Sequence, residues 1–217
     1  MMYTGIDKRE LDEVRRLNER FLYALRRPRS AAKAGLASVL DSEELTWLES
    51  ASADEIGDLA ETPFFLFRLD DAPTELSPNV TTRLFSPNEA NEDEVLLMGL
   101  SFCWQLARRA AFPTRVLTGA RADWCQWLAT VPFAVLAEVV RVNPNPLTPN
   151  LMEAKFFWPG LVGAVRNCRH RHVAAIKSAG LQHLLKRQHS DNAMPLAART
   201  LTVPGRRVAD GDSSAGG

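Results

Sequence analysis

Residues 41–62 read Asp41-Ser42-Glu43-Glu44-Leu45-Thr46-Trp47-Leu48-Glu49-Ser50-Ala51-Ser52-Ala53-Asp54-Glu55-Ile56-Gly57-Asp58-Leu59-Ala60-Glu61-Thr62, and two helix starts are written into them. Asp41 or Ser42 caps the first, with Glu43 and Glu44 in its opening turn; Ser52 caps the second, followed by Asp54 and Glu55. Capping oxygens satisfy backbone N–H groups that have no partner inside the helix, and carboxylates suit its positive end. Leu45 and Leu48 then face inward from one helix, Ile56 and Leu59 from the other, and Thr62-Pro63 closes the pair.

The same pattern returns 80 positions later. Trp47-Leu48 falls on Trp127-Leu128, Glu43 on Asp123, Leu45 on Cys125, Ile56 on Leu136, Asp58 on Glu138 and Leu59 on Val139. Upstream, Leu17 meets Leu97 and Leu22 meets Phe102, each within a long helical pattern that ends in an arginine pair, Arg26-Arg27 or Arg108-Arg109. The reading is a duplicated, all-α unit. In the first copy a helix over 8–27 buries Leu11, Val14, Leu17, Phe21, Leu22 and Leu25, a short helix runs to Leu40, and an extended apolar segment covers Phe64 to Leu69. The second copy is expected to repeat the plan as 92–111, a break at Pro113, a short helix to Gly119, then 122–129 and 132–140. An irregular connection through Pro144, Pro146 and Pro149 leads to helices over 151–158 and 161–187, the latter weak at Gly180. The domain boundaries expected are 1–71 for the first unit, 72–91 for a Pro-, Asn- and Thr-rich linker, 92–187 for the second unit, and 188–217 for a disordered tail.

Charge narrows the function. The chain carries 26 basic and 26 acidic residues, but residues 1–96 hold 20 acids against 11 bases, and 97–217 hold 6 against 15. No Asp or Glu occurs from Ala154 to Ser190, where Lys155, Arg166, Arg169, Arg171, Lys177, Lys186 and Arg187 lie. Such a stretch seeks polyanions or an acidic surface. No apolar run reaches the roughly 18 residues of a membrane span, and the charged opening has no leader pattern, so a cytoplasmic protein with no membrane partner is expected. Cys103, Cys125 and Cys168 form no Cys-x-x-Cys pair and read as reduced thiols. Phosphate loops, nucleophile elbows and His-Glu-x-x-His are absent, and no histidine precedes His170. No catalytic residue, cofactor or metal is expected; His170, His172, His183, His189 and Cys168 sit among arginines, which repel cations.

Ser52 to Asp71 resembles the FlhD family of flagellar transcription regulators. There a helix ending Leu-Ala-Glu-Thr precedes an apolar stretch closing on Phe-Arg-Phe-Asp, matched here by Leu59 to Thr62 and Phe67-Arg68-Leu69-Asp70. With the long first helix and the Ala- and Leu-rich helix before Asp41, the resemblance spans residues 8–71, about a third of the chain. It implies an all-helical dimer that activates transcription, in flagellar systems with the partner FlhC. The family's inter-subunit cysteine aligns with Phe65, so that covalent link is missing, and a duplicated chain implies a homodimer or an internal pseudo-dimer. Phe156-Phe157-Trp158 after the prolines also resembles the start of FlhC, without its zinc-binding cysteines.

The resulting expectation is a transcription activator, or a subunit of one, that binds double-stranded DNA alone or with an FlhC-like partner. Arg166, Arg169, Arg171, Lys177, Lys186 and Arg187 would neutralise phosphates. Leu17, Phe21, Trp47, Leu48, Phe65, Trp127 and Leu128 would form the packing or dimer interface. The alternative is an interaction module whose basic helix docks on the acidic first half and binds no DNA.

Overall fold

Three capping boxes start the helices of the first half. Asp7, Asp41 and Ser52 each accept from the backbone N–H three residues on, while the Glu10, Glu44 and Glu55 side chains reach back to the cap N–H. Each is worth about 1 kcal/mol. The computed structural model of the chain describes residues 6–27, 30–69, 90–142 and 147–193. Its first half comprises α1 (Lys8–Leu25), α2 (Ala31–Leu36), α3 (Ser42–Ser50), α4 (Ala53–Ala60) and the short strand β1 (Phe67–Arg68). Its second comprises α5 (Ala90–Arg109), α6 (Ala111–Thr118), α7 (Ala122–Thr130), α8 (Phe133–Val142) and β2 (Thr148–Pro149), followed by α9 (Phe157–Arg166) and α10 (His170–Ala193). The fold is all-α apart from the two-residue strands.

The order of elements repeats at the interval read from the sequence. Adding 80 to the bounds of α3 gives 122–130, the bounds of α7; adding it to α2, α4 and β1 gives 111–116, 133–140 and 147–148, within two residues of α6, α8 and β2. Helix α1 packs on α4 as α5 packs on α8. Strands β1 and β2 pair antiparallel with Arg68 opposite Thr148, residues 80 apart, so a position meets its own counterpart. Helices α1 and α5 also meet antiparallel, joined by ion pairs Glu10–Arg109 and Arg20–Glu94 near opposite ends. Elements in corresponding positions of the two halves thus contact one another.

The symmetry stops at the third helix of each copy. Helix α7 lies on α5 and α6, whereas α3 lies on α9. Trp127 therefore sits beside Trp124, with ring centroids 6.4 Å apart, while no such ring neighbours Trp47 among the described residues. Both tryptophans are half-buried at the edge of the core rather than at its centre; Leu17, Phe21, Leu48, Phe65 and Leu128 are buried.

One continuous core joins the halves. Phe65 bridges them: its N–H donates to the Leu117 carbonyl at 2.8 Å, and its ring lies 5.0 Å from Phe67 and 6.0 Å, edge-on, from Phe102 of α5. Two buried asparagines grip the extended segment 62–66 from opposite sides. The Asn18 amide donates to Ala60 O (3.2 Å), Thr62 Oγ1 (2.8 Å) and Phe64 O (2.9 Å) and accepts from Leu66 N–H (2.9 Å). Asn150 donates its side-chain amide to Phe65 O and Thr118 O and its backbone N–H to Leu66 O, and its carbonyl accepts from the Trp158 indole. Extended backbone inside a core has no ladder to satisfy it, and these side chains supply the partners.

Several expected boundaries move. The break in the second copy falls at Ala110, because Pro113 is the third residue of α6, where no intrahelical N–H bond is needed. Residues 151–153 form turns, with Leu151 in the left-handed region at φ 58°, so no helix spans 151–158. Helix α10 passes straight through Gly180 and continues to Ala193, six residues into the expected tail; residues 194–217 lie outside the described residues. So does the expected linker over 72–91, except that its last two residues open α5.

Candidate nucleic-acid interface

The basic stretch folds as the hairpin α9–α10, and its turn is a Schellman motif. Cys168 N–H donates to Val165 O at 2.9 Å and Arg169 N–H to Ala164 O at 2.8 Å, with Cys168 left-handed at φ 52°. Glycine usually fills that position because it has no Cβ to clash. Cys168→Gly is expected to raise the unfolding free energy by about 1 kcal/mol, read as a higher thermal midpoint. No change or a fall would mean that the turn carries no strain.

The turn separates Arg166, Arg169 and Lys177, which one uninterrupted helix would have placed on a shared face. Arg166 ends α9 and pairs with Glu43 of α3 at 2.5 Å. Lys177 donates to the Asp58 carbonyl at 2.7 Å; burial lowers its pKa, against the attraction of Glu61 and Asp58. Arg187 pairs with Glu153 at 2.7 Å and donates to Gly119 O at 2.9 Å. Burial pushes the Glu153 carboxyl up, but a backbone hydrogen bond, Arg187 and the charge of His183 outweigh it and hold the pKa below its ordinary value. These three cations strap the hairpin to the rest of the fold, Arg166 and Lys177 to the acidic first half and Arg187 to the α6–α9 region. Lys186 is exposed farther along α10.

Arg169 and Arg171 are exposed, and no carboxylate pairs with either among the described residues. With the exposed His170 and His172 they make the start of α10 a run of two arginines and two histidines without a carboxylate. Cations at a helix N-terminus oppose the dipole by about 0.3–1 kcal/mol each, a cost that an anion placed there would relieve. The sequence placed these residues correctly in a basic segment but missed the turn that isolates them, since Asn167-Cys168 lacks the glycine that usually announces it. Nor does it show which cations are already engaged, which depends on Glu43, Asp58 and Glu153, distant in the chain.

Other groups offer less chemistry. Burial pushes the Cys103 thiol up, with the neighbouring Cys125 adding to it; both thiols are sealed in the core. No group of three His, Cys, Asp or Glu able to hold a metal ion occurs among the described residues, and none of their helices is long and apolar enough to cross a membrane. A cleft of 830 Å³ between α1 and α5 is lined by Leu97, Met98 and Phe102 together with Asp7, Glu13 and the Glu10–Arg109 pair. Comparison of the chain with protein-family models, with curated proteins and with solved structures finds no match.

Proposed function

We propose that the chain is a DNA-binding transcription regulator of FlhD-like type, an activator or activator subunit, in which a tandem duplication supplies the dimer within one polypeptide. The observation that carries this reading is the pair Arg169 and Arg171, exposed with no carboxylate partner among the described residues, at the positive end of α10 inside a stretch with no acidic residue from 154 to 190. Tethering adds support: the like-with-like contacts of α1 with α5 and of β1 with β2 make the pairing intramolecular. An FlhC-like protein is the partner implied by the resemblance of residues 8–71, and a cytoplasmic location follows from the same reading.

The test is duplex binding measured by fluorescence anisotropy across a salt series. The wild-type chain is expected to lose affinity steeply with salt, and Arg169→Ala/Arg171→Ala to flatten the logarithmic slope by about 2, one per lost phosphate contact. Affinity should fall for all sequences alike. A wild-type slope near zero, alone and with an FlhC-like protein added, removes the proposal.

The second reading is an interaction module that modulates such a regulator without binding DNA. The docking of Arg166 on Glu43 and of Lys177 on Asp58 favours it, because those cations already have partners. It predicts full function in the Arg169→Ala/Arg171→Ala variant.

A further inference from the structure

Helix α10 has two opposite rows. Val173, Gly180, Leu184 and Gln188 are buried against the fold, and the residues two places before each, Arg171, Ser178, Gln182 and Lys186, are exposed, together with Ala174 and Ala175. A step of two residues turns a helix by about 200°, so the second row faces directly away from the first. The helix is held along its length by Lys177 on the Asp58 carbonyl, Arg187 on Glu153 and Gly119, and Gln188 on the Arg115 carbonyl. Its outward row is therefore a rigid surface, and it carries no carboxylate.

We propose that this outward row of α10 enters the major groove of duplex DNA and that Gln182 reads a base edge there. The inference rests on the DNA-binding reading above and adds to it the element and the residue that would confer sequence preference. Charge selects the occupant, since a surface bearing Arg171 and Lys186 with no acid from 154 to 190 complements a polyanion. The two cations are separated by 15 residues, about 22 Å along a helix. That exceeds the roughly 12 Å width of the major groove, which lets them reach phosphates on its two sides. Between them Ala174, Ala175 and Ser178 are short enough for the helix to approach the base edges. Of the exposed residues between the two cations only His172, directly beside Arg171, and Gln182 extend farther, and the Gln182 amide has no partner among the described residues. A carboxamide offers a donor and an acceptor side by side, the pattern that matches N6 and N7 of adenine.

The experiment is selection from a randomised duplex library with the full chain, followed by anisotropy on the enriched and on an unselected duplex. The wild type is expected to enrich a motif. Gln182→Ala should relax it at one or two adjacent base pairs, cutting discrimination there about 10- to 100-fold while leaving the salt slope and the thermal midpoint unchanged. Gln126→Ala, an exposed glutamine on α7, should change nothing. Salt-dependent binding with no enriched motif, or a motif that survives Gln182→Ala intact, overturns the groove assignment and leaves the DNA-binding reading standing. Poly-glutamate competing as well as duplex DNA would assign the row to an acidic protein and overturn it too. Absence of any salt-dependent binding removes both readings together.

Discussion

Asn18→Leu is expected to lower the unfolding free energy by about 2–4 kcal/mol, a sizeable part of the 5–15 kcal/mol typical of a domain. The two side chains share the same branched four-atom shape, so leucine leaves no cavity and the loss comes from polarity. Asn18 is fully buried, and its amide group serves Ala60 O, Thr62 Oγ1, Phe64 O and Leu66 N–H. A leucine would leave the Leu66 N–H without its partner in a place water does not reach, at about 1–3 kcal/mol before relaxation, and would take one of two hydrogen bonds from each of Ala60 O and Phe64 O. Ala60 O still accepts from the Thr62 N–H and Phe64 O from Thr62 Oγ1, both at 2.7 Å, which limits the total. The measurement is the urea midpoint. An unchanged midpoint would show that the segment 62–66 holds its course through Asn150 and its apolar side chains alone.

The second large effect is expected at Gly180. A Cβ built there would lie 2.7 Å from Phe157 Cε2 and 3.0 Å from Phe64 Cζ, whose rings pack with centroids 5.8 Å apart. Rings wedged between α9, α10 and the extended segment cannot swing aside cheaply. Gly180→Val should therefore cost about 3 kcal/mol or more, the upper end for overpacking, and Gly180→Ala about 1–3 kcal/mol. Gly163 is the control: it is also helical, in α9, but nothing lies within 4 Å of its added Cβ. Gly163→Ala should stabilise by about 0.5–1 kcal/mol through helix propensity. Thermal melts of the three variants decide the matter. Equal effects of alanine at both sites would mean that α10 does not press on Phe157 as the structure places it.

Gly180 also shows where a local reading goes astray. In sequence it is a weak point in a helix, a place for a bend. In the fold it permits close approach, and the missing side chain matters for Phe157 and Phe64 rather than for the backbone torsions, which stay helical. Cys168 is the converse case. Nothing in its identity announces a left-handed residue, yet it closes α9 because Val173 and Leu184 must turn back onto the core.

Elements of the first half were readable because their signals are local. A capping box spans four residues, an apolar face repeats every three or four, and an 80-residue interval needs only the chain to be compared with itself. The paired strands were not readable. Two residues carry no periodicity, and their partners lie 80 or more positions apart.

By itself, then, the sequence determined the helical class, the 80-residue spacing of similar elements, the helix starts near Asp41 and at Ser52, and the acid-free character of residues 154–190. Each of these follows from neighbours along the chain or from a repeat of them. Only the tertiary structure decided that the two halves share one core through Phe65, Asn18 and Asn150, and that α3 and α7 part ways. It alone decided that Arg166, Lys177 and Arg187 are engaged while Arg169 and Arg171 are exposed with no carboxylate partner among the described residues. A charge in a sequence has a sign but no partner; its availability is set by which distant carboxylate or carbonyl the packing of apolar faces brings within about 3 Å of it.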